Sequence, residues 1–164
     1  MNYKLIPALF IAIAATFVFH ACNQQAPEPA QGEWIRGSEA EKIEMIEGQF
    51  RGFDMAMVEV DYRYSELFWA GEDENWGYAV YQAEKLQSAI ESGFQRRPLR
   101  APSAENFMTM ALPAMQAAAE SGDRQLFDES FQALTNQCNM CHALEDVAFF
   151  TVKPPTERRS SIRF

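Results

Sequence analysis

The chain has 164 residues, enough for one domain and little else, and 14 Lys+Arg against 23 Asp+Glu give it a net charge of −9. That acidity argues against nucleic acid as a partner. It suits a basic partner surface, or simple solubility, equally well.

Met1 to Lys4 make a short, positively charged start, and an almost unbroken apolar run follows from Leu5 to Phe19. The run is shorter than the roughly 20 residues of a membrane-spanning helix, so residues 1–21 are expected to be a signal peptide. It stops at His20-Ala21-Cys22, which resembles a bacterial lipobox, with Phe19 where Leu is usual. The leading expectation is a lipid on Cys22 that anchors the protein to a membrane. A plainly secreted protein and an uncleaved anchor are the alternatives. Residues 22–37, polar and proline-bearing, are expected to form a flexible tether.

Four helices are expected between 38 and 143. The first opens on a Ser38-x-x-Glu41 capping box, and its apolar seam (Ile43, Ile46, Phe50, Phe53, Met57, Val60, Tyr64, Leu67) steps by three and four up to Gly71. The second runs from Trp76 to Glu91, with Ala79, Ala83, Leu86 and Ile90 on one side and Gly93 beyond its end. After the basic loop Arg96-Arg97-Pro98-Leu99-Arg100, a third helix capped by Ser103 reaches Glu120, kinked at Pro113, with Phe107, Met110, Leu112 and Met115 apolar. The fourth carries Phe127, Phe131, Leu134, Cys138 and Cys141 on one stripe. Short turns between helices predict an all-α, antiparallel four-helix bundle. Residues 144–164 form a C-terminal extension, extended over Phe149–Pro155 and then a loose tail.

Cys138-Asn139-Met140-Cys141-His142 is the strong motif. Two thiols at i and i+3 lie on one face of a helical turn, where both can reach the vinyl groups along one porphyrin edge. The next residue, His142, then falls beneath the ring as an iron ligand. Covalent attachment through Cys138 and Cys141 keeps a haem c on a protein exported from its supply. With a lipid on Cys22 the odd cysteine count closes. Zinc would need a fourth ligand and a further Cys or His pair, and a thioredoxin-type CxxC belongs at a helix N-terminus, so both readings are weaker.

A helical bundle with one CxxCH near the end of its last helix resembles cytochrome c′ and its low-spin relatives; class I cytochromes c carry the motif near the N-terminus. Leu67–Gly71 with Asn75-Trp76, and CNMCH followed by Phe149-Phe150 and Pro154, are also similar to small exported bundle cytochromes. The resemblance implies haem bound near the end of the last helix, and either a Met from the first helix on the far side of the iron or none. Met57 lies on the inward seam. Met55 lies off it, yet an Arg four residues before the haem-facing position is part of the family pattern, and Arg51 with Met55 reproduces it. Met57, Met55 and no Met ligand all remain open, since Met is also a common core filler.

Phe50 and Phe53 are expected to line the pocket beside Met57, and Arg51 to pair a haem propionate. The functional expectation is an electron carrier, not an enzyme, in the periplasm or at the outer surface, working with a redox partner protein. The alternative is a five-coordinate haem protein that binds a diatomic gas such as nitric oxide. Peroxidase activity is weak on this reading, because no distal His is available as an acid–base group. Tyr62 and Trp69 would permit a homodimer.

Overall fold

The computed structural model describes residues 30–161, and the expected signal peptide and Cys22 lie outside them. The described residues are all-helical, with no strand among them. They contain five α-helices: α1 Glu39–Phe50, α2 Phe53–Glu72, α3 Trp76–Arg96, α4 Leu112–Ser121 and α5 Arg124–Leu144. Two compact units divide between Glu47 and Gly48. No described helix is long and apolar enough to cross a membrane.

In the N-terminal unit the capping box forms as expected. The Ser38 N–H donates to Glu41 Oε2 at 2.7 Å, and the Glu41 N–H donates to Ser38 Oγ at 3.3 Å. The Ser38 N–H and the Ser38 hydroxyl, both donating to Glu41 Oε2, hold that carboxyl below its ordinary pKa. Residues 30–37 turn back on the start of α1: Lys42 Nζ donates to the Ala30 carbonyl, and Gly32 N–H to the Ile35 carbonyl at 2.9 Å.

The expected first helix is in fact two. Arg51 takes a left-handed backbone (φ 59°) and Gly52 opens α2 in an extended conformation. Asp54 braces the break, with one oxygen accepting from the Gly52 N–H (3.1 Å) and the other from Arg51 (2.6 Å). The apolar seam steps across this break without a change of period, so periodicity carried no sign of it. Of the seam, Ile43, Ile46 and Phe50 are exposed, while Tyr64 and Leu67 are buried.

The core of the second unit is built where α2, α3, α4 and α5 meet. Tyr64, Leu67 and Ala70 come from α2, Ala83, Leu86 and Ile90 from α3, Leu112 and Met115 from α4, and Phe127, Phe131 and Leu134 from α5. The α3 face is the one its sequence period predicts, although the helix runs on to Arg96. Gly93 lies inside it, because Phe53 packs 2.7 Å from where a Cβ would stand. Gly71 likewise sits within α2, its missing side chain replaced by the Phe127 ring. Both glycines are close-approach positions: Gly71 stands beside the end of α2 at Glu72, where the sequence places it, whereas Gly93 is not the terminator expected after Glu91.

Around Pro113 the chain is reorganised instead of simply kinked. Phe107–Ala111 form a π-helical turn in which the Leu112 N–H donates to the Phe107 carbonyl, and Pro113 then stands in the first turn of α4. A proline there lacks no needed N–H, and the widened turn keeps its ring off the carbonyl four residues back. Met110, expected on the apolar side, is exposed, whereas Phe107, Leu112 and Met115 are buried. At the next turn Gly122 is left-handed (φ 67°) and Asp123 caps α5 through the Leu126 N–H at 2.9 Å.

Helices α2 and α5 run in opposite directions. Gly71 meets Phe127 at one level, and at the next Tyr64 stacks on Phe131 (centroids 4.7 Å) and shares a 2.7 Å hydrogen bond with Thr135.

Candidate haem attachment site

Cys138, Cys141 and His142 occupy the last turns of α5, all half-buried. The cysteines are free thiols, and the Cys138 side packs against the core. Burial pushes the Cys138 thiol up to about 12, with the neighbouring Cys141 adding to the shift. Burial and the Glu145 carboxylate also raise Cys141, against a lowering effect of Arg100. A redox-active CxxC does the opposite: a helix N-terminus or a nearby cation lowers its thiol pKa. These two thiols lie one helical turn apart at the C-terminal end of a helix, with no helix N-terminus to lower them.

His142 has one ring nitrogen engaged. Nδ1 lies 2.5 Å from the carbonyl of Phe150. A carbonyl only accepts, so Nδ1 carries the proton and the lone pair resides on Nε2. That tautomer is the one an imidazole needs to bind a metal through Nε2. Among the described residues no three His, Cys, Asp or Glu side chains converge as a metal-holding group. The end of α5 carries two thiols and one imidazole within five residues.

Polar ties surround the motif. Glu145, just past α5, accepts from Arg100 and from the Ser103 hydroxyl. Ser103 thus spends its hydroxyl here and not on the expected helix cap. Asn139 joins α5 to the following segment through Val152, whose side chain packs on the core. Arg158 reaches Asp73 at 2.7 Å and lies 4.9 Å over the Trp69 ring. The C-terminal extension is thus fastened along the helices as far as Arg158, not the loose tail expected. Trp69, expected as an exposed aromatic, is half-buried under that guanidinium, while Tyr62 is exposed.

The remaining candidates are spread out. Met57 is half-buried against the core cluster, and Met55 is 37% exposed. Seven residues before Tyr64 on α2 stands Met57, and seven after its partner Thr135 on α5 stands His142. The opposed helices rise about 1.5 Å per residue, so the two share a level along the pair. Phe53 packs against Phe94 (5.6 Å), whereas Phe50 is exposed. Arg51 is exposed and paired with Asp54. In the basic loop, Arg96 donates to the Phe50 carbonyl at 2.9 Å and Arg100 is taken by Glu145. Phe149 and Phe150 expose their rings beside His142.

Sequence reading missed Asn139, Glu145 and Arg158. Asn139 fills a variable position of CxxCH, and its role rests on Val152, thirteen residues away. The chain matches no family model, no curated protein and no solved structure.

Proposed function

We propose that this chain is an exported c-type cytochrome that carries one haem covalently on Cys138 and Cys141, ligates its iron with His142 and passes single electrons to and from a redox partner protein. The observation that carries the proposal is the end of α5: two thiols one helical turn apart, followed by an imidazole whose Nδ1 is engaged by the Phe150 carbonyl and whose Nε2 is left available. We read α2 to α5 as an antiparallel four-helix bundle. The contacts of α2 with α3, α3 with α4, α4 with α5 and α2 with α5 support that arrangement, with short turns at 73–75 and 122–123 and a longer link through residues 97–111.

Bound haem supplies a one-electron iron couple. The protein's part is to hold and orient it. Cys138 and Cys141 would hold the haem and His142 would bind its iron, while the apolar ends of α2 and α3, with Phe53 against Phe94, would help keep water away. Met57 would be the second side chain to bind the iron: it is half-buried against the core and level with His142, and a thioether there would favour ferrous iron. Met55, more exposed, is the weaker candidate. A lipid on Cys22 would keep the carrier at a membrane in the periplasm or at the outer surface.

The test is expression with a haem-attachment apparatus. Haem should stay with the chain on a denaturing gel and be lost in Cys138→Ala/Cys141→Ala; a wild type without gel-stable haem would sink the proposal. The purified protein should show a six-coordinate low-spin spectrum that Met57→Ala converts to high-spin and Met55→Ala does not. A high-spin wild type that shifts with nitric oxide would overturn the Met ligand and leave a gas-binding protein. Cys22→Ser should release the protein from the membrane fraction.

A further inference from the structure

The segment that follows α5 has a geometry that the CxxCH motif alone does not require. From Leu144 the chain turns through Asp146, which is left-handed (φ 59°), and the Val147 N–H returns to the His142 carbonyl at 2.9 Å. The Phe150 N–H then bonds the Val147 carbonyl at 2.9 Å, and this small loop delivers the Phe150 carbonyl to His142 Nδ1. Both Phe149 and Phe150 expose their side chains, so apolar packing of those rings does not hold the carbonyl there.

Two residues on, Val152 is gripped from both sides. Its N–H donates to Asn139 Oδ1 at 2.8 Å, and Asn139 Nδ2 donates to its carbonyl at 3.0 Å. The same amide nitrogen also donates to the Thr135 carbonyl on α5 at 3.1 Å. A primary amide offers a donor and an acceptor with the spacing of a peptide unit, so Asn139 holds Val152 as a neighbouring strand would. Neither a carboxylate nor an apolar side chain can make both bonds.

We infer that residues 145–152 form a strap that fixes the imidazole of His142, and that Asn139 is the positioning residue that holds the strap in place. The inference rests on the haem reading above. A backbone carbonyl that accepts the Nδ1 proton locks the tautomer and ring plane and makes Nε2 a stronger donor. A stronger nitrogen donor favours ferric iron. Asn139 therefore acts on the iron through the backbone of Phe150, without touching the haem.

The test uses the haem-bearing protein, with reduction potential and the solvent exchange of the His142 Nδ1 proton by NMR as readouts. Asn139→Ala should shift the equilibrium about tenfold toward the ferrous form, close to 59 mV upward for a one-electron couple. Exchange of the Nδ1 proton should quicken by at least the same roughly tenfold factor. Asn139→Asp, which keeps only the acceptor, should move both readouts part of the way. Val152→Pro removes the strap's donor and leaves α5 untouched, so it answers the question even where substitution at Asn139 impairs haem attachment. Arg158→Ala, at the far anchor, should move neither readout. Haem-loaded Asn139→Ala and Val152→Pro proteins with unchanged potential and exchange overturn the strap alone. A wild type without covalent haem overturns the reading beneath it.

Discussion

The two ends of the α2–α5 pair are closed by different physics. At the Gly71 end, small residues let helices touch: the Phe127 ring occupies the space a Gly71 side chain would take, and Trp76 meets it edge-on at 5.6 Å. Arg124 binds Glu72 and Asp128 over that junction, and Asn75 and Asp123 cap the helices that begin there. At the Cys138–His142 end, aromatic packing gives way to polar clamps, from Asn139 to Val152 and from Arg100 and Ser103 to Glu145. Apolar side chains there stay exposed, among them Leu99, Met140, Phe149 and Phe150. Packing stabilises without regard to which atom points where, whereas hydrogen bonds orient particular groups. The difference teaches that ring packing closes one end, and that at the other, polar contacts orient particular groups beside the packing of Phe53 on Phe94.

The sharpest attempt to break this contrast is Phe127→Ala. It should cost about 3–5 kcal/mol in chemical denaturation, as a fully buried ring shared by α2, α3 and α5 is lost. A loss below about 1 kcal/mol would mean that ring packing does not close that end. Gly71→Ala probes the same contact by overfilling it, and about 1–3 kcal/mol should go, because the neighbour is a rigid ring. At the open end Glu145→Gln removes a partly exposed ion pair with a hydroxyl contact, and denaturation should register only about 1 kcal/mol.

Tyr64 lies between the ends, and burial raises its phenol to about 12. The folded state favours the neutral form, so the stability it contributes is full below about pH 10 and falls as pH rises through about 12. Tyr64→Phe should flatten the alkaline limb of the stability profile over that window. The Cys138 thiol titrates in the same range when no haem is attached, so the two proteins are compared in one haem state. The smallest effect belongs to Arg51→Gly. Relief of a left-handed non-glycine residue, offset by a freer unfolded chain and a lost surface pair, should raise stability by no more than about 1 kcal/mol.

Where the sequence was legible, the determinant was local. The Ser38–Glu41 box, the α3 face from Ala79 to Ile90 and the Phe127–Phe131–Leu134 stripe are statements about residues three or four apart, and the helix enforces them wherever it forms. Gly93 reads as a helix end in the sequence because a glycine that ends a helix and one that admits a neighbour look identical until the neighbour is known, whereas Gly71 does both. The break at Arg51 was invisible for a related reason: the three-and-four spacing of apolar residues in the sequence runs on past a single left-handed residue.

The sequence by itself determined an all-helical chain and the thiol, thiol, imidazole order at the end of its last helix, since both follow from spacing along one chain. Tertiary structure decided what surrounds that order. It set Met57 half-buried and Met55 more exposed, tied Arg158 to Asp73 and Trp69, and brought the Phe150 carbonyl to His142 by way of Asn139 and Val152. Such contacts depend on where a returning segment lands, and that is fixed by the packing of the helices beneath it. Spacing names the two thiols and the imidazole, and the fold orients that imidazole.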